Sequence, residues 1–599
     1  MRVHTDPSSS WQKERREIDI PVPAAPMNLA AILWGRGHLP PRPLCAGIGH
    51  CGLCRVHFLS VPPAPTRREQ DMLTPAELDS GVRLACCHDA EDSMSLAIPP
   101  EAIRPEKDKV RSGQTAADSP RPEDWAGTGA SEARLAVDLG TTSIVWEALG
   151  ARGETLAQGH LPNPQMGAGT DVMARLAAAS PGEDTDGAIF MRDAVSKVLI
   201  GIADSLRSQG ISVREICLAA NPAMTLLALG LDASGLRAAP YRLDFHGARE
   251  ASLPGLPPLW IPPLPAPFVG GDLSAGICAV LHSSPAPRFP LLLADMGTNG
   301  EFVLLRAGLP PLLASVPLGP ALEGIGLRCG GIAENGAVTA FHAAPSGLAV
   351  QTLGGTPPRR ICGVGYLSLI RLLLDMGLLD TDGHFRPDAS SPHPLAFLRT
   401  RLAASLTTER GEPVLPLPGD LFLAASDVES LLKVKAAFSL AVESLMAEAE
   451  LAPADLGEIV LAGALGMHAP LDALADLGFL PPFSRAKTRT AGNTSLRGAG
   501  LLLCGSDGRN PRELRDEISA ASSGIPSFSR EIHPPHALRQ NKRCCIPCGT
   551  MPSRVLRGDG TAVIRLSPLP APLERYFHER NSSPCFSPKR EIFKSQRNP

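Results

Sequence analysis

Two short glycine turns of the same design constrain this chain more than any other feature. The first occupies residues 137–143 (Val-Asp-Leu-Gly-Thr-Thr-Ser) and the second residues 295–301 (Asp-Met-Gly-Thr-Asn-Gly-Glu). Each has an aspartate after an apolar run, Gly-Thr two residues later and a second apolar run, which predicts strand, tight turn and strand. A single such turn is usually an ordinary hairpin. Two matched copies predict a duplicated fold that holds a phosphate between its halves, because glycine lets backbone N–H groups approach an anion.

The elements that follow each turn are repeated as well. An amphipathic helix is predicted over about 186–209, followed by a strand over 215–220. In the second half, residues 426–429 (Ser-Asp-Val-Glu) have the pattern of a capping box that opens a helix. A strand over 458–462 follows and runs into a Gly-Ala-Leu-Gly turn. Hairpin, helix and strand therefore occur twice, whereas neither a P-loop nor a Rossmann glycine motif is found.

A cysteine group lies near the start of the chain. Cys45, Cys51 and Cys54 form a C-x5-C-x2-C run, and the adjacent pair Cys86 and Cys87 follows about thirty residues later. Mostly small residues fill the gaps, as a loop wrapped closely round an inorganic cluster requires. Four thiolates in this grouping suit a [2Fe-2S] centre. The alternative is a zinc knuckle, which normally uses two C-x2-C pairs.

Composition excludes several classes of protein. The length of 599 residues predicts several domains. A formal charge of −4 and an aromatic content of 4% argue against general nucleic-acid binding. Apolar runs are too short for a membrane helix, and the polar first nineteen residues do not resemble a secretory signal. We therefore expect a cytoplasmic protein that binds neither membranes nor nucleic acid.

Two segments have the composition of flexible chain. Residues 105–131 are rich in Pro, Gly, Ser and charged residues and predict a tether. Residues 505–599 carry 16 Lys and Arg against 9 Asp and Glu, without sustained periodicity, and predict a basic, mostly disordered tail. Its cysteines, Cys544, Cys545 and Cys548, leave a second metal site open as an alternative.

The cysteine group resembles the ferredoxin domain of adrenodoxin type, which has a β-grasp fold. In that family the fourth cluster ligand lies in an Arg-Leu-Ala-Cys motif, and residues 83–86 have this sequence. The resemblance therefore implies Cys45, Cys51, Cys54 and Cys86 as ligands. The preference for Cys86 over Cys87 rests on the resemblance alone.

The repeated body resembles the superfamily of acetate kinase, sugar kinases, heat-shock chaperone ATPases and actin, in which two α/β lobes close on a nucleotide. The resemblance implies that Asp138 and Asp295 hold Mg²⁺ through water and help to place the attacking water, with no basis for choosing between them. It also implies phosphate contacts from both turns and an adenosine contact from a later glycine pair. The residues concerned are Gly140, Thr141, Thr142, Gly297, Thr298, Asn299, Gly300, Gly463 and Gly466.

Two further glycine-rich stretches, 317–333 and 361–366, are candidates for nucleotide-cleft or hinge loops, although such loops are more often tight connections. Glu323 and Glu334 in and after the first stretch are candidates for orienting the attacking water.

A [2Fe-2S] domain joined to an actin-like ATPase body resembles the reductive activators of corrinoid enzymes. The resemblance covers roughly residues 20–504. It implies an ATP-hydrolysing activator that passes a low-potential electron through the cluster to an inactive Co(II) corrinoid protein, giving Co(I) for methyl transfer. Implied partners are a corrinoid methyltransferase protein and a low-potential electron donor such as ferredoxin, and a homodimer is left open. The alternatives are a small-molecule kinase of the same superfamily with an appended redox domain, and a plain iron–sulfur electron carrier.

The predicted organisation is α/β throughout. It consists of a ferredoxin-like domain over 15–104, a linker over 105–131, a first ATPase lobe over 132–286, a second lobe over 287–504 and a tail over 505–599.

Overall fold

The computed structural model describes residues 2–5, 16–19, 29–35, 54–98, 131–169, 172–179, 186–297, 299–324, 326–331, 333–345, 347–388, 392–409, 411–463, 466, 470–480, 488–506 and 508–523. Within these ranges the chain forms a small N-terminal unit and two larger α/β lobes. None of the helices described there is long and apolar enough to cross a membrane.

The N-terminal unit is a five-stranded mixed sheet with one helix on its apolar core. Strand order is β2-β1-β5-β3-β4, with β1 parallel to β5 and the other pairs antiparallel. Leu29 and Leu33 of α1 are buried against Val56, Leu84 and Leu96 of the sheet. The elements are β1 (Arg2–Thr5), β2 (Arg16–Asp19), α1 (Leu29–Gly35), β3 (Arg55–Phe58), α2 (Arg67–Met72), α3 (Pro75–Asp79), β4 (Val82–Leu84) and β5 (Ser95–Ile98). Strand β1 lies between β2 and β5 in this order, so the sheet includes residues that precede the predicted domain start at residue 15.

The first lobe is built on a six-stranded sheet in the order β10-β11-β9-β6-β7-β8. The hairpin predicted around Asp138 is confirmed as β6–β7, and β9 pairs with β6 in parallel. The predicted helix over 186–209 and the predicted strand over 215–220 are confirmed as α5 and β9. The elements are β6 (Glu132–Leu139), β7 (Ser143–Leu149), β8 (Thr155–Pro162), α4 (Val172–Ala178), α5 (Asp186–Ser208), β9 (Ser212–Ala220), α6 (Pro222–Leu229), β10 (Arg249–Ala251), β11 (Leu259–Ile261) and α7 (Gly271–Leu281).

Local sequence accounts for the helices of this lobe. In α5, Met191, Val195 and Leu199 recur at helical spacing and are completely buried. Asn221 caps α6 by accepting a hydrogen bond from the backbone N–H of Met224, and proline occupies the first helical position, where no donor is needed.

The second lobe repeats the strand arrangement of the first. Its sheet has the order β14-β13-β12-β21-β22: three antiparallel strands followed by two parallel ones, as in β8-β7-β6-β9-β11. The predicted duplication is therefore confirmed in strand order and direction. The elements are β12 (Leu291–Met296), β13 (Asn299–Arg306), β14 (Leu309–Pro317), β15 (Ala337–Ala344), β16 (Gly347–Thr352), β17 (Arg360–Ile361), α8 (Gly363–Asp375), α9 (Ala396–Ser405), β18 (Thr407–Glu409), β19 (Glu412–Pro416), β20 (Phe422–Ala424), α10 (Ala425–Glu448), β21 (Glu458–Ala462), α11 (Leu471–Asp476) and β22 (Thr488–Gly492).

The predicted capping box is wrong in detail. Helix α10 begins at Ala425, so Ser426 lies inside the helix. Asp427 instead accepts hydrogen bonds from the backbone N–H groups of Ala424 at 3.2 Å and Arg328 at 2.9 Å. Its carboxylate closes the start of the helix and ties it to a preceding loop.

After β22 the chain returns to the first lobe as α12 (Thr494–Cys504). This helix packs on α7, where Gly498 lies so close that a Cβ would come within 1.8 Å of the carbonyl oxygen of Ala275. One hydrophobic cluster joins both helices to both sheets, with Ala136 on the first sheet and Leu293 on the second among its members. The two helices therefore lie between the sheets, although α12 falls within the range 287–504 that was predicted for the second lobe.

Within the range predicted for the tail, residues 511–523 form α13 (Pro511–Ser523). Leu514 and Ile518 of this helix are buried in the same hydrophobic cluster. Arg515 donates to the carbonyl oxygen of Leu502 at 2.8 Å and to Glu215 at 2.6 Å, and its guanidinium lies 4.7 Å from the ring centroid of Trp260. The remainder of the tail, with Cys544, Cys545 and Cys548, and almost all of the linker lie outside the described residues.

Arg515 gives a test of whether α13 is part of the folded body. We expect Arg515→Ala to lower the free energy of unfolding by roughly 2 kcal/mol, because charge-assisted hydrogen bonds and a cation–π contact are lost together. The matched control is Arg512→Ala, on the exposed face of the same helix. Urea unfolding followed by circular dichroism gives the comparison, and equal stability of the two variants would contradict this account of α13.

Candidate functional site

Four carboxylates converge where the two lobes meet. Asp138 lies near the end of β6, Asp295 near the end of β12, Glu301 on β13, and Asp272 in the first turn of α7. Asp295 and Glu301 face each other as a register pair across the second hairpin. We call these four residues the carboxylate cluster. Its members come from both lobes and from a helix that lies between them.

The two predicted aspartates occupy equivalent positions in the two halves. Asp138 is paired with Ala219 on the neighbouring parallel strand, and Asp295 is paired with Ala462 in the same way. The duplication therefore extends to the register of single residues, and it brings the two turns to corresponding edges of the two sheets.

Burial raises the pKa of every member of the carboxylate cluster, and the charges of neighbouring carboxylates add to the effect for Asp272, Asp295 and Glu301. Burial is the main cause for Asp295, whose pKa is raised to about 7, and the charge of Asp138 adds to it. The pKa of Asp272 is also raised to about 7 by burial and by the charges of Asp295 and Asp138. That of Glu301 is raised well above its ordinary value for the same reasons. Burial raises the pKa of Asp138 too, although hydrogen bonds from Asn493 and Ser495 oppose the change.

This donor set fits a hard divalent cation. Carboxylate oxygens are the ligands that Mg²⁺ and Ca²⁺ prefer, and Mg²⁺ usually keeps several waters while binding one or two carboxylates and substrate phosphates. The buried Oε1 of Glu301 has no hydrogen-bond partner among the described residues. A cation would stabilise the ionised carboxylates and so offset the burial and repulsion that raise their pKa values.

Side chains of the first lobe hold the first glycine turn from behind. Asn163 donates to the carbonyl oxygen of Gly140 at 2.8 Å, and Asn221 donates to the hydroxyl of Thr141 at 3.2 Å. The buried guanidinium of Arg175 donates to the carbonyl oxygen of Thr141. Carbonyl groups of the turn are thus occupied on the protein side, which leaves the turn with a fixed shape.

The close approach of Asp295 explains why position 463 is a glycine. Gly463 has φ +79°, and a Cβ there would lie 2.6 Å from the Oδ1 of Asp295. A side chain at this position would displace the carboxylate. The predicted adenosine-side glycine therefore lies directly against the second turn. Gly466 is buried, and Thr298 lies outside the described residues.

Two residues at the start of α12, more than 350 positions away in sequence, donate hydrogen bonds to Asp138. Asn493 donates to its Oδ2 at 2.7 Å, and Ser495 donates to its Oδ1 at 3.0 Å. Asn493 also caps α12 by accepting from the N–H of Leu496 at 2.8 Å. Sequence analysis missed these two residues and Asp272. The available signals were an Asn-Thr-Ser helix start and a Gly-Gly-Asp helix start.

The two glycine-rich stretches pack on each other. A Cβ on Gly363 would come within 1.6 Å of the carbonyl oxygen of Leu322, and one on Gly330 within 2.0 Å of that of Gly324. Close backbone packing therefore explains these glycines. The structure also separates the two candidate glutamates: Glu323 accepts from the hydroxyl of Thr142 at 3.3 Å, whereas Glu334 pairs with Arg360 at 3.1 Å.

Two of the four predicted cluster cysteines lie together in the N-terminal unit. The Sγ atoms of Cys54 and Cys86 are 3.2 Å apart and both residues are buried. Cys87 is half-buried, and burial raises the pKa of its thiol. Cys45 and Cys51 lie outside the described residues. Two thiols at this separation fit adjacent ligands of one metal ion, in a zinc knuckle or in an iron–sulfur centre.

Glu69 fixes the segment that carries Cys86. Its buried carboxylate accepts from the N–H of Leu84 at 2.7 Å and contacts Nε2 of His88 at 2.9 Å. Hydrogen bonds from His88 and from the backbone of Thr66 and Leu84 outweigh burial and lower the pKa of Glu69 to about 2.

Comparison with known proteins gives consistent matches. Residues 134–283 match the family domain described as the RACo middle region, and residues 290–524 match the one described as the C-terminal domain of RACo, the ASKHA domain. Together they span more than half of the chain, and the second ends one residue beyond α13.

Individual proteins agree with these matches. The corrinoid activation enzyme RamQ of Eubacterium limosum is 28% identical over 413 residues, which are 66% of this chain and 67% of that protein. A solved structure titled reductive activator for corrinoid, iron-sulfur protein is 21% identical, with a TM-score of 0.54. That alignment covers 87% of this chain and 94% of the other.

The raised pKa values predict an unusual pH dependence of stability. Asp295 has a pKa of about 7 in the folded protein against 3.8 when unperturbed, so the folded state holds its proton more tightly. Stability should therefore fall as the pH rises from about 4 to 7 and stay level above that. Without metal or nucleotide, we expect Asp295→Asn to be more stable than the wild type at pH 7.5, by roughly 2 kcal/mol after allowance for solvent screening.

The gain from Asp295→Asn should shrink as the pH is lowered to 5. The control is Asp388→Asn, an exposed aspartate of the second lobe. Thermal unfolding at several pH values measures both variants, and an Asp295→Asn protein that is less stable than the wild type at pH 7.5 would contradict the repulsion described for the carboxylate cluster.

Proposed function

Because the chain belongs to the RACo family of reductive activators of corrinoid proteins, we propose that it is an ATP-hydrolysing activator that reduces an inactive Co(II) corrinoid protein to Co(I) for methyl transfer. The electron would come from a low-potential donor such as ferredoxin and pass through a [2Fe-2S] centre. The corrinoid partner would be a methyltransferase protein, and the place of action the cytoplasm.

The observation that carries the ATP part of the proposal is the carboxylate cluster between two glycine turns. In this proposal the backbone N–H groups of both turns and the hydroxyls of Thr141, Thr142 and Thr298 bind the phosphates, together with Asn299. Asp138 and Asp295 hold Mg²⁺ through its waters, with Asp272 and Glu301 beside them. Gly463 and Gly466 give the adenosine access to the backbone.

The electron-transfer part rests on the N-terminal unit. Its strand order, with the first strand parallel to the last and α1 packed on the sheet, supports the predicted β-grasp fold. The short Cys54–Cys86 separation supports Cys86 rather than Cys87 as the fourth ligand, beside Cys45 and Cys51. When bound, a [2Fe-2S] centre would supply one-electron chemistry at low potential.

The uphill reduction of Co(II) to Co(I) explains why the proposed reaction needs ATP. Plant-type [2Fe-2S] centres lie near about −400 mV, and Co(I) is a stronger reductant. A tenfold change in a one-electron equilibrium corresponds to about 59 mV, so a deficit of roughly one or two hundred millivolts amounts to a few kcal/mol. Lobe closure on ATP would favour one complex with the corrinoid protein, and hydrolysis would reset it.

The central experiment combines the purified protein, a chemical low-potential reductant and a Co(II) corrinoid protein under anaerobic conditions. We expect the absorbance of Co(I) to appear only when MgATP is present, because the uphill step needs the coupled hydrolysis. A non-hydrolysable ATP analogue serves as the control. Equal Co(I) formation with and without ATP would refute the coupling.

The ligand assignment predicts different outcomes for two neighbouring thiols. We expect Cys86→Ser to lose the visible absorbance and the bound iron of the anaerobically purified protein, because one of four ligands is removed. Its ATP hydrolysis should remain, since the cysteine lies in the N-terminal unit. Cys87→Ser is the matched control and should keep both.

Iron and zinc analysis accompanies the spectra of the Cys86 and Cys87 variants. The reverse pattern between the variants would mean that Cys87 is the ligand. A colourless wild type that contains only zinc would refute the cluster itself.

A further inference from the structure

One hydrogen bond joins the first glycine turn to the second lobe across the space where the phosphates are proposed to bind. The hydroxyl of Thr142 donates to Oε2 of Glu323 at 3.3 Å, although the two residues are 181 positions apart. Thr142 follows Gly140 and Thr141 in the turn, so the contact lies within the phosphate-binding segment itself.

Close backbone packing holds the turn that carries Glu323 against the rest of the second lobe. It ends a single 3-10 turn, Pro320–Glu323, whose Leu322 is 3% exposed. The carbonyl oxygen of Leu322 lies against Gly363 at the start of α8, and that of Gly324 lies against Gly330. Any movement of the second lobe therefore carries the Glu323 carboxylate with it.

Thr142 is fixed to the first lobe just as firmly. Its carbonyl oxygen accepts from the N–H of Asn163 at 3.0 Å, and the carbonyl oxygens of the two residues before it are held by Asn163 and Arg175. The Thr142–Glu323 distance therefore reports the relative position of the two lobes at the phosphate turn.

In the proposed function, a bound nucleotide competes with Glu323 for the hydroxyl proton of Thr142. A threonine hydroxyl has one proton to donate, and in the proposed function it goes to a phosphate oxygen. The Glu323 carboxylate would then lie beside phosphate anions, which repel it. In the proposed function, entry of the phosphates would therefore release Glu323 from Thr142 while the carboxylate stays close to the first glycine turn.

We propose that Glu323 is the residue that orients the water attacking ATP, and that its contact with Thr142 is the resting position of this carboxylate in the nucleotide-free protein. The inference rests on the proposed ATP hydrolysis. The water oxygen forms a bond to the γ-phosphorus, and the bond from that phosphorus to the bridging oxygen breaks, with its electron pair leaving on ADP. Glu323 accepts the proton of the water and passes it to the released phosphate.

Geometry favours Glu323 over the other carboxylates. Asp138 is held on both oxygens by Asn493 and Ser495. Asp272, Asp295 and Glu301 form the oxygen-rich site that suits the cation. Glu323 is a carboxylate of the opposite lobe that touches a phosphate-turn hydroxyl, which makes it the group positioned to accept from a water there.

The test is Glu323→Gln in the full-length protein, with ATP binding measured by calorimetry and hydrolysis by phosphate release. We expect the kcat to fall by at least ~100-fold, the loss typical of removing a general base. ATP should bind as tightly as in the wild type or a few-fold more tightly, because glutamine keeps the shape but not the charge that repels phosphate. A residue with a merely structural role would weaken binding along with turnover.

The matched control is Glu429→Gln, which carries the same change into the exposed ion pair with Lys433 on α10. We expect it to hydrolyse ATP within about twofold of the wild type, since an exposed ion pair contributes little. Near wild-type hydrolysis by Glu323→Gln, or losses of equal size in both variants, would overturn the inference while the proposed function stands. A wild type that binds no ATP would refute the proposed function itself, and the inference with it.

Discussion

The burial of four neighbouring carboxylates where the two lobes meet is the constraint on which the rest of the structure depends. Burial raises the pKa of Asp138, Asp272, Asp295 and Glu301, and the charges of neighbouring carboxylates add to this for the last three, which costs stability near neutral pH. The two sheets and the helices between them supply the stability against which this cost is set. A ligand that brings a divalent cation removes the repulsion only in the folded state, so its binding is coupled to the arrangement of the lobes.

The two elements that connect the lobes also carry site residues. Asp272 lies in the first turn of helix α7, which leads from the first lobe into β12. Helix α12 follows Asn493 and returns the chain from β22 to the first lobe. Asn493 and Ser495 hold the Asp138 carboxylate at this return point. Both connections between the lobes therefore carry residues that belong to the carboxylate cluster or contact it.

The sequence predicted those elements that local residue patterns determine. The two hairpins, α5, β9 and β21 follow from short apolar runs, glycine turns and helical periodicity, and the duplicated sheets follow from their repetition. The contacts of Asn493 and Ser495 were not predicted, because they are made with a residue some 355 positions away. Helix α13 was not predicted, because its composition is that of a solvated segment. Only Leu514 and Ile518 of this helix are buried. Strand β1 was not predicted, because it is only four residues long.

Under the proposed function, the size of the coupling can be set against the chemistry. Moving an electron uphill by 100 mV requires a difference in affinity of about fiftyfold, or about 2.3 kcal/mol, since tenfold corresponds to 59 mV. Allosteric coupling free energies of 1–3 kcal/mol are typical. Neutralising the carboxylate cluster and replacing the Thr142–Glu323 contact both favour the nucleotide-bound arrangement of the lobes over the nucleotide-free one. A ligand shifts a conformational equilibrium only by its differential affinity for the two states, and these two changes are where that difference arises in this chain.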